Sequence, residues 1–326
     1  MRAIIFDQPG DENVLHVGEA PRPALGPDDL RIRVRSTAVN RADLLQRQGL
    51  YPPPPNASPI LGLECAGEVI EVGANARGWS LGERAMALLA GGGYAEEAVV
   101  HAGSAMRVPA VLSDAEAGAM PEVFLTAFLN VFVLGEPPTG GSVLVHGGGS
   151  GVGTAAISLC RAAGLKIIVT AGSVEKCEHC LAHGADVAIN YRDGDFASKV
   201  QAATNGAGVN VVLDAIGGRY LEGNLSSLAV DGRLVIIGLM GGLRAELDLA
   251  QVMVKRLRII GSTLRTRSNG EKAALVAAFV ERFGAALAAG TLRPVLDRVL
   301  PLEQAGEAHR IMKASQHFGK IALRVD

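Results

Sequence analysis

Six short apolar runs between residues 142 and 261 limit what this chain can fold into. They are SVLVH (142–146), KIIVT (166–170), VAIN (187–190), NVVLD (210–214), RLVIIG (233–238) and LRIIG (257–261). Segments of helical character lie between most of them, such as VGTAAISLCRAA (152–163) and residues 174–183. Apolar strands that alternate with helices form a parallel sheet covered on both faces. Six of them predict a doubly wound α/β fold with strand order 3-2-1-4-5-6. Aromatic residues make up only 4% of the chain, so Ala, Val, Leu and Ile must fill its core.

The residues before this series read differently. LRIRVRSTAV (30–39) alternates as a half-buried strand does, and GEVIEVG (67–73) and YAEEAVV (94–100) also read as strands. Turn-rich pieces such as YPPPPNASP separate them, and helix signals are few. Near 115–135 the character changes to helix. Ser113 with Glu116 three residues on forms a capping box, and Pro121 must break or kink the helix. After 264 the alternation stops, leaving a helix at 271–289, a strand-like LDRVLP and a final GKIALRV (319–325). No internal repeat appears. The expected division is a β-rich domain at 1–122, a nucleotide domain at 123–264, and a return segment at 265–326 that completes the first.

The string HGGGSGVG (146–153) follows the first strand of the series and precedes a helix. Glycine lets a backbone turn tightly against a pyrophosphate, and the helix start offers free N–H groups with a positive partial charge. The strict G-x-G-x-x-G spacing is not met; Gly148, Gly151 and Gly153 are present, with Thr154 beyond. At the end of the second strand an NAD site places an Asp or Glu on the ribose hydroxyls. Here the sequence is AGSVEK (171–176). Without the acid, a 2′-phosphate is not repelled, while Ser173 can donate a hydrogen bond and Lys176 can supply charge. Glu175 as the ribose acid of an NAD site is the rival reading. Its expected place in the first turn of a helix favours an acid for another reason, so NADPH is the expected cofactor.

Net charge is −2, which gives no electrostatic footprint for nucleic acid. Lys255, Arg256 and Arg258 read as the solvated flank of a strand. The opening MRAIIFDQPG lacks the apolar length of a signal peptide, and no stretch reaches the ~20 apolar residues of a membrane span. A cytoplasmic protein is expected. Four cysteines are too few for a disulfide framework. Cys177, Cys180 and His183 fall on one helical face, which reads as packing against the sheet rather than as a metal site.

Several longer stretches carry a family likeness: AVNRADLLQRQGLYPPPP (38–55), LGLECAGEVIEVG (61–73), GERAMALLAGGGYAEE (82–97), HGGGSGVGTAAISL (146–159), TAGSVEK (170–176), GLMGG (238–242) and HFGKIAL (317–323). With them the chain resembles the zinc-independent, NADPH-dependent quinone oxidoreductases of the medium-chain dehydrogenase/reductase superfamily. The likeness is to the zeta-crystallin-related group, especially its stress-inducible branch. It implies a GroES-like catalytic domain, a central Rossmann domain, and a homodimer or a dimer of dimers. It further implies that Asn40 and Tyr51 stand at the active site and that Ser150 faces the nicotinamide. Thr126 matches a position near that ring. Gly172, Ser173, Lys176 and Tyr191 match the 2′-phosphate and adenosine region, and Gly148, Gly151, Val152 and Gly153 the phosphate loop. Leu239, Met240, Leu264 and Lys320 match the lining of the cofactor cleft. Gly148 and Gly149 depart from relatives that carry Ala or larger residues, which is expected to loosen the loop. Zinc-dependent cousins keep a Cys where Asn40 stands and a His where Leu63 stands, so no metal is expected.

These residues imply hydride delivery from NADPH to a small quinone, with Asn40 and Tyr51 hydrogen-bonding the substrate oxygen. Tyr51 or solvent would supply the proton, and Ser150 would orient the nicotinamide or the substrate. Simpler roles exist for two of these, Asn40 as a turn cap and Tyr51 as a pin for its loop; Pro52–Pro55 reads as a stiff wall to the substrate cleft rather than as a polyproline ligand for a partner. The alternatives are an NADPH-dependent alkenal or enone reductase, and a non-catalytic, crystallin-like NADPH-binding protein.

Overall fold

The apolar runs pair into one six-stranded parallel sheet in a computed structural model that describes residues Met1–Asp326. Its spatial order is Val187–Asn190, Lys166–Ala171, Ser142–His146, Val209–Asp214, Leu228–Ile236, Arg258–Gly261. In chain order this is 3-2-1-4-5-6, the doubly wound arrangement. The order reverses between Ser142–His146 and Val209–Asp214, which neighbour each other directly. Ligands of open α/β sheets bind at the carboxyl ends of the strands where the order reverses. The central strands are apolar through their middles because helices cover both faces: Val143, Leu144, Val145, Ile167, Ile168, Val169, Val211, Val212 and Leu213 are all buried. Each buried Val, Leu or Ile contributes roughly 1.5–3 kcal/mol.

The last strand is the exception. Ile259 is 39% exposed, and the helix Leu249–Val254 before it buries no residue. Leu249, Met253 and Val254 are each about 70% exposed. The basic cluster beside it is not simply a solvated flank, which corrects the expectation. Lys255 Nζ donates to the carbonyl oxygens of Leu225, Ser226 and Leu228, at 2.9, 3.1 and 2.8 Å. It thereby caps the C-terminal end of the helix Leu221–Ser227, where a cation is favoured. Arg256 pairs with exposed Asp231.

This sheet and its helices form one compact unit, Thr126–Thr263; the other is Met1–Leu125 together with Leu264–Asp326. The second unit holds a seven-stranded sheet. Its path runs Leu296–Pro301, Lys320–Arg324, Asp29–Ala38, Glu64–Val72, Arg84–Leu88, Ala105–Arg107, with Glu97–His101 also pairing on Asp29–Ala38. The return segment enters this sheet directly: Lys320–Arg324 runs antiparallel to Asp29–Ala38, with Ala322 opposite Ala38. Leu30, Ile32 and Val34 face a core that also takes Ile311, Ile321 and Leu323 from the return segment.

Ser113 and Glu116 make the expected capping box, and Pro121 starts a new helix, Pro121–Ala127, where its missing N–H costs nothing. Two short helices were not expected, Arg41–Arg47 and Ala305–Lys313. The strand expected from residue 94 begins only at Glu97. Tyr94 instead turns its hydroxyl into a buried polar chain, 3.1 Å from His309 Nε2 and 3.4 Å from Asp43 Oδ2.

Candidate active site

In the nucleotide unit, the strand Ser142–His146 is followed by Gly147, whose φ of +78° suits glycine. The helix Gly151–Ala162 starts four residues later, capped by Ser150, whose Oγ accepts from Gly153 N at 3.0 Å. The helix leaves the N–H groups of Gly151 and Val152 with no intrahelical carbonyl, so they are oriented for an anion. A side chain at Gly153 would lie 2.3 Å from the carbonyl oxygen of Gly147, so only glycine lets the loop fold onto the first helical turn. Gly148 does not loosen the loop, which corrects the expectation. A Cβ there would stand 2.7 Å from Val169 and 3.0 Å from Cys180 Sγ, so neighbouring side chains already fill that space.

The end of the second strand lies beside this loop. Gly147 N and Gly148 N both donate to the carbonyl oxygen of Thr170, at 3.1 and 2.8 Å. Ser173 caps the helix Val174–His183, its Oγ accepting from Lys176 N at 3.2 Å. A hydroxyl that accepts in this way keeps its own hydrogen for an outward partner. Tyr191 lies against Gly172, where a Cβ would sit 2.6 Å from the phenol oxygen. Gly172, Ser173, Lys176 and Tyr191 therefore share one edge, and Glu175 lies in the first helical turn. Leu239 and Met240 stand about half exposed on the loop after the fifth strand, with Leu239 against Gly217. Thr126 is buried, its carbonyl oxygen accepting from Asn130 at 2.7 Å.

Sequence reasoning missed His146. Its Nε2 is 2.7 Å from Asn224 Oδ1, and Asn224 Nδ2 donates to Asp214 Oδ2 at 3.0 Å. The carboxylate fixes the amide, the amide fixes the ring, and His146 Nδ1 then accepts from Thr170 Oγ1 at 3.0 Å. Burial holds the imidazole neutral, with its pKa pushed down to about 4. This chain ties together the ends of the first, second and fourth strands. Its only signal in the sequence is a His at the last position before the glycines.

In the other unit, Asn40 stands at the start of the helix Arg41–Arg47, and Asp43 Oδ2 accepts from its backbone N at 2.8 Å. The Asn40 side chain is held elsewhere. Its Oδ1 accepts from Lys320 Nζ at 2.7 Å, and its Nδ2 donates to Glu64 Oε1 at 2.9 Å and to Ala38 O at 3.3 Å. Both amide hydrogens therefore have protein acceptors, which corrects the expectation that Asn40 donates to a substrate oxygen. Lys320 is also redirected from the cleft lining. It is 2% exposed and engages Val39 O at 2.9 Å and Glu64 Oε1 at 2.8 Å besides Asn40. Glu64, fully buried, accepts from Glu122 N through its other oxygen at 2.9 Å.

Tyr51 is half-buried, and burial pushes its phenol pKa up while the positive charge of Arg265 pulls it down. Arg265 was not anticipated. It directly follows Leu264, which is buried as the return segment begins.

Leu63 offers no metal ligand, and burial pushes the Cys65 thiol up to about 12. Cys177 and Cys180 are buried free thiols, and His183 turns its Nε2 to Ser158 Oγ and Thr154 O, at 3.0 and 3.1 Å. No three His, Cys, Asp or Glu side chains converge as a metal site would require. No helix is long and apolar enough to cross a membrane.

A six-stranded Rossmann sheet joined to a β-rich unit built from both sides of it in sequence defines a class of two-domain oxidoreductases. Residues 26–110 match the alcohol dehydrogenase GroES-like domain, and residues 151–281 the zinc-binding dehydrogenase family. Human quinone oxidoreductase is 30% identical, over 99% of this chain and 97% of its own. The chain belongs to the medium-chain dehydrogenase/reductase superfamily and is quinone oxidoreductase-like within it. Among solved structures, an NAD-dependent alcohol dehydrogenase is 34% identical with a TM-score of 0.86, covering 100% of both chains. Escherichia coli quinone oxidoreductase complexed with NADPH is 26% identical with a TM-score of 0.86, also covering 100% of both.

Proposed function

We propose that this protein is an NADPH-dependent quinone reductase that works without a metal ion, acting in the cytoplasm on a small quinone. The observation that carries the cofactor choice is the edge formed by Gly172, Ser173, Lys176 and Tyr191. It holds no carboxylate at the strand end, a hydroxyl with a hydrogen to give, and an amine one helical turn on. The N–H groups of Gly151 and Val152 suit the pyrophosphate. NADPH supplies a hydride; a quinone that takes up this hydride and one proton becomes a hydroquinone.

The chain's own residues then have distinct tasks. Tyr51 donates its O–H to the substrate oxygen and recovers a proton from solvent. Asn40 offers a lone pair on Oδ1 that can accept from the hydroxyl of the hydroquinone once it has formed; Lys320 and Glu64 hold its amide in that sense. Ser150 shapes the helix start and directs its hydrogen outward to orient the nicotinamide or the substrate. Thr126, Leu239, Met240 and Leu264 line the cofactor. The exposed apolar residues at Leu249–Val254 and the edge strand Arg258–Gly261 support a homodimer.

The likeness to an NAD-dependent dehydrogenase makes cofactor choice the decisive test. Turnover of naphthoquinone, phenanthrenequinone and a 2-alkenal is compared with NADPH and with NADH. The expected result is quinone turnover with NADPH favoured. Lys176→Ala should lower kcat/KM for NADPH about tenfold, the loss of one charge-assisted hydrogen bond, and leave NADH unchanged. A wild-type preference for NADH overturns the cofactor assignment. Faster turnover of the alkenal replaces the quinone with a carbon–carbon double bond.

A further inference from the structure

Arg265 has no part in the reading above, yet its surroundings are unusual for a charged group. It is 5% exposed, and no carboxylate is among its hydrogen-bond acceptors. Its guanidinium is instead held by neutral groups. Nε donates to Ala90 O at 2.8 Å, Nη2 to Gln46 Oε1 at 2.6 Å, and Nη1 to Tyr51 O at 3.4 Å. The same plane lies over the Tyr51 ring, 5.3 Å from its centroid. Gln46 is itself oriented, because its Nε2 donates to Pro59 O at 2.8 Å. One guanidinium therefore anchors both flanks of the Pro52–Pro55 loop, at Tyr51 directly and at Pro59 through Gln46.

A buried cation without a carboxylate partner is costly unless its surroundings use it. Asp43 and Glu122 are the acids that act on it through space, and Lys272 adds a second cation, its Nζ on Arg265 O at 2.9 Å. The aromatic face it touches belongs to the one phenol already placed in the chemistry. A planar guanidinium fits this position because it can stack on a ring and hydrogen-bond at its edges together, which an ammonium cannot.

We propose that Arg265 is a positioning residue for Tyr51, fixing where the ring stands and setting a positive charge against its face. The proposal rests on the reading of Tyr51 as the proton donor. The charge favours the phenolate that proton donation leaves behind, so the phenol releases its proton more readily. Glu122 opposes this from a distance, while Arg265 is the cation that lies over the ring.

The test separates this proposal from that reading. Subtracting the ultraviolet titration of Tyr51→Phe from that of the wild type isolates the Tyr51 phenol. In Arg265→Met the same difference, taken against Arg265→Met/Tyr51→Phe, should shift upward by about one pH unit. With naphthoquinone, Arg265→Met should lower kcat about tenfold with the KM for NADPH unchanged. In a Tyr51→Phe background it should cost no more than about twofold, because the group it serves is gone. Emission of the single tryptophan, Trp79, checks that the unit is folded. Should Arg265→Met not fold, Arg265→Lys takes its place. It keeps the charge and loses the fork, so its kcat should fall less and its phenol should move by a smaller amount. An unmoved Tyr51 titration in the variant that folds overturns the proposal, as does full multiplication of the two losses in the double variant. Full activity in Tyr51→Phe removes the donor reading, while the titration still decides whether Arg265 governs the phenol.

Discussion

The Glu64–Lys320 pair offers the sharpest test of how the catalytic unit is held together. Glu64 is 0% exposed and Lys320 2%, so neither charge is screened by water. Lys320→Met removes two hydrogen bonds, to Val39 O and Asn40 Oδ1, and the ion pair with Glu64 Oε1. It leaves a buried carboxylate with only Asn40 Nδ2 and Glu122 N as donors. Breaking a buried pair from one side costs about 3–5 kcal/mol, because the remaining charge is uncompensated. Glu64→Gln should cost a similar amount by stranding the ammonium. The double variant Glu64→Gln/Lys320→Met removes both charges, and its Gln oxygen can still accept from Glu122 N. Its cost should fall short of the sum of the two singles by about 2 kcal/mol or more. Urea unfolding followed by Trp79 emission reports on this unit alone, since Trp79 is the only tryptophan and packs on its core. With a slope of about 1–3 kcal/mol per molar urea, each single variant should move the midpoint by more than about 1 M. Single effects below about 1 kcal/mol, or strict additivity, would refute the claim that the two charges depend on each other.

Two further outcomes follow from features of the nucleotide unit. The His146 ring has its pKa pushed from 6.5 down to about 4, so below pH 6.5 the unfolded chain takes a proton that the folded chain refuses. Stability should be complete above pH 6.5 and fall by up to about 3 kcal/mol as pH drops towards 4; His146→Gln should flatten this part of the profile of circular-dichroism melts. At the sheet edge, Met253→Glu with Ile259→Lys should turn a homodimer into a monomer by light scattering at micromolar concentration. A wild-type protein already monomeric there would remove the homodimer reading.

The doubly wound sheet was legible because its strands are covered on both faces, and such strands must be apolar throughout. Val143–Val145 and Ile167–Val169 announce themselves without any partner in view. Ser113, Glu116 and Pro121 were legible because caps and proline act within one turn of chain. The helix Arg41–Arg47 was not, since seven residues are too few to show a period. The polar clusters were hidden for a different reason. Asn40 meets Lys320 across 280 residues, and His146 meets Asn224 across 78. Residue type says that such groups can bond, but only the fold says to what. Lys255 shows the same limit, because a lysine beside two arginines looks like surface charge until the helix end it caps is in place.

The division of one unit between two stretches of sequence also bears on how the chain is made. Asp43 and Glu64 belong to the stretch synthesised first, and both are fully buried in the finished protein. The cations that act on them, Arg265 and Lys320, come after the nucleotide unit in the sequence. Until Lys320 is made, Glu64 has no cation to pair with, so closing the β-rich unit over it with only the first 125 residues in place carries the cost of an uncompensated buried charge. Thr126–Thr263 is continuous and carries no such debt to later residues. The nucleotide unit is therefore free to fold while its neighbour waits, and the domain begun first is completed last.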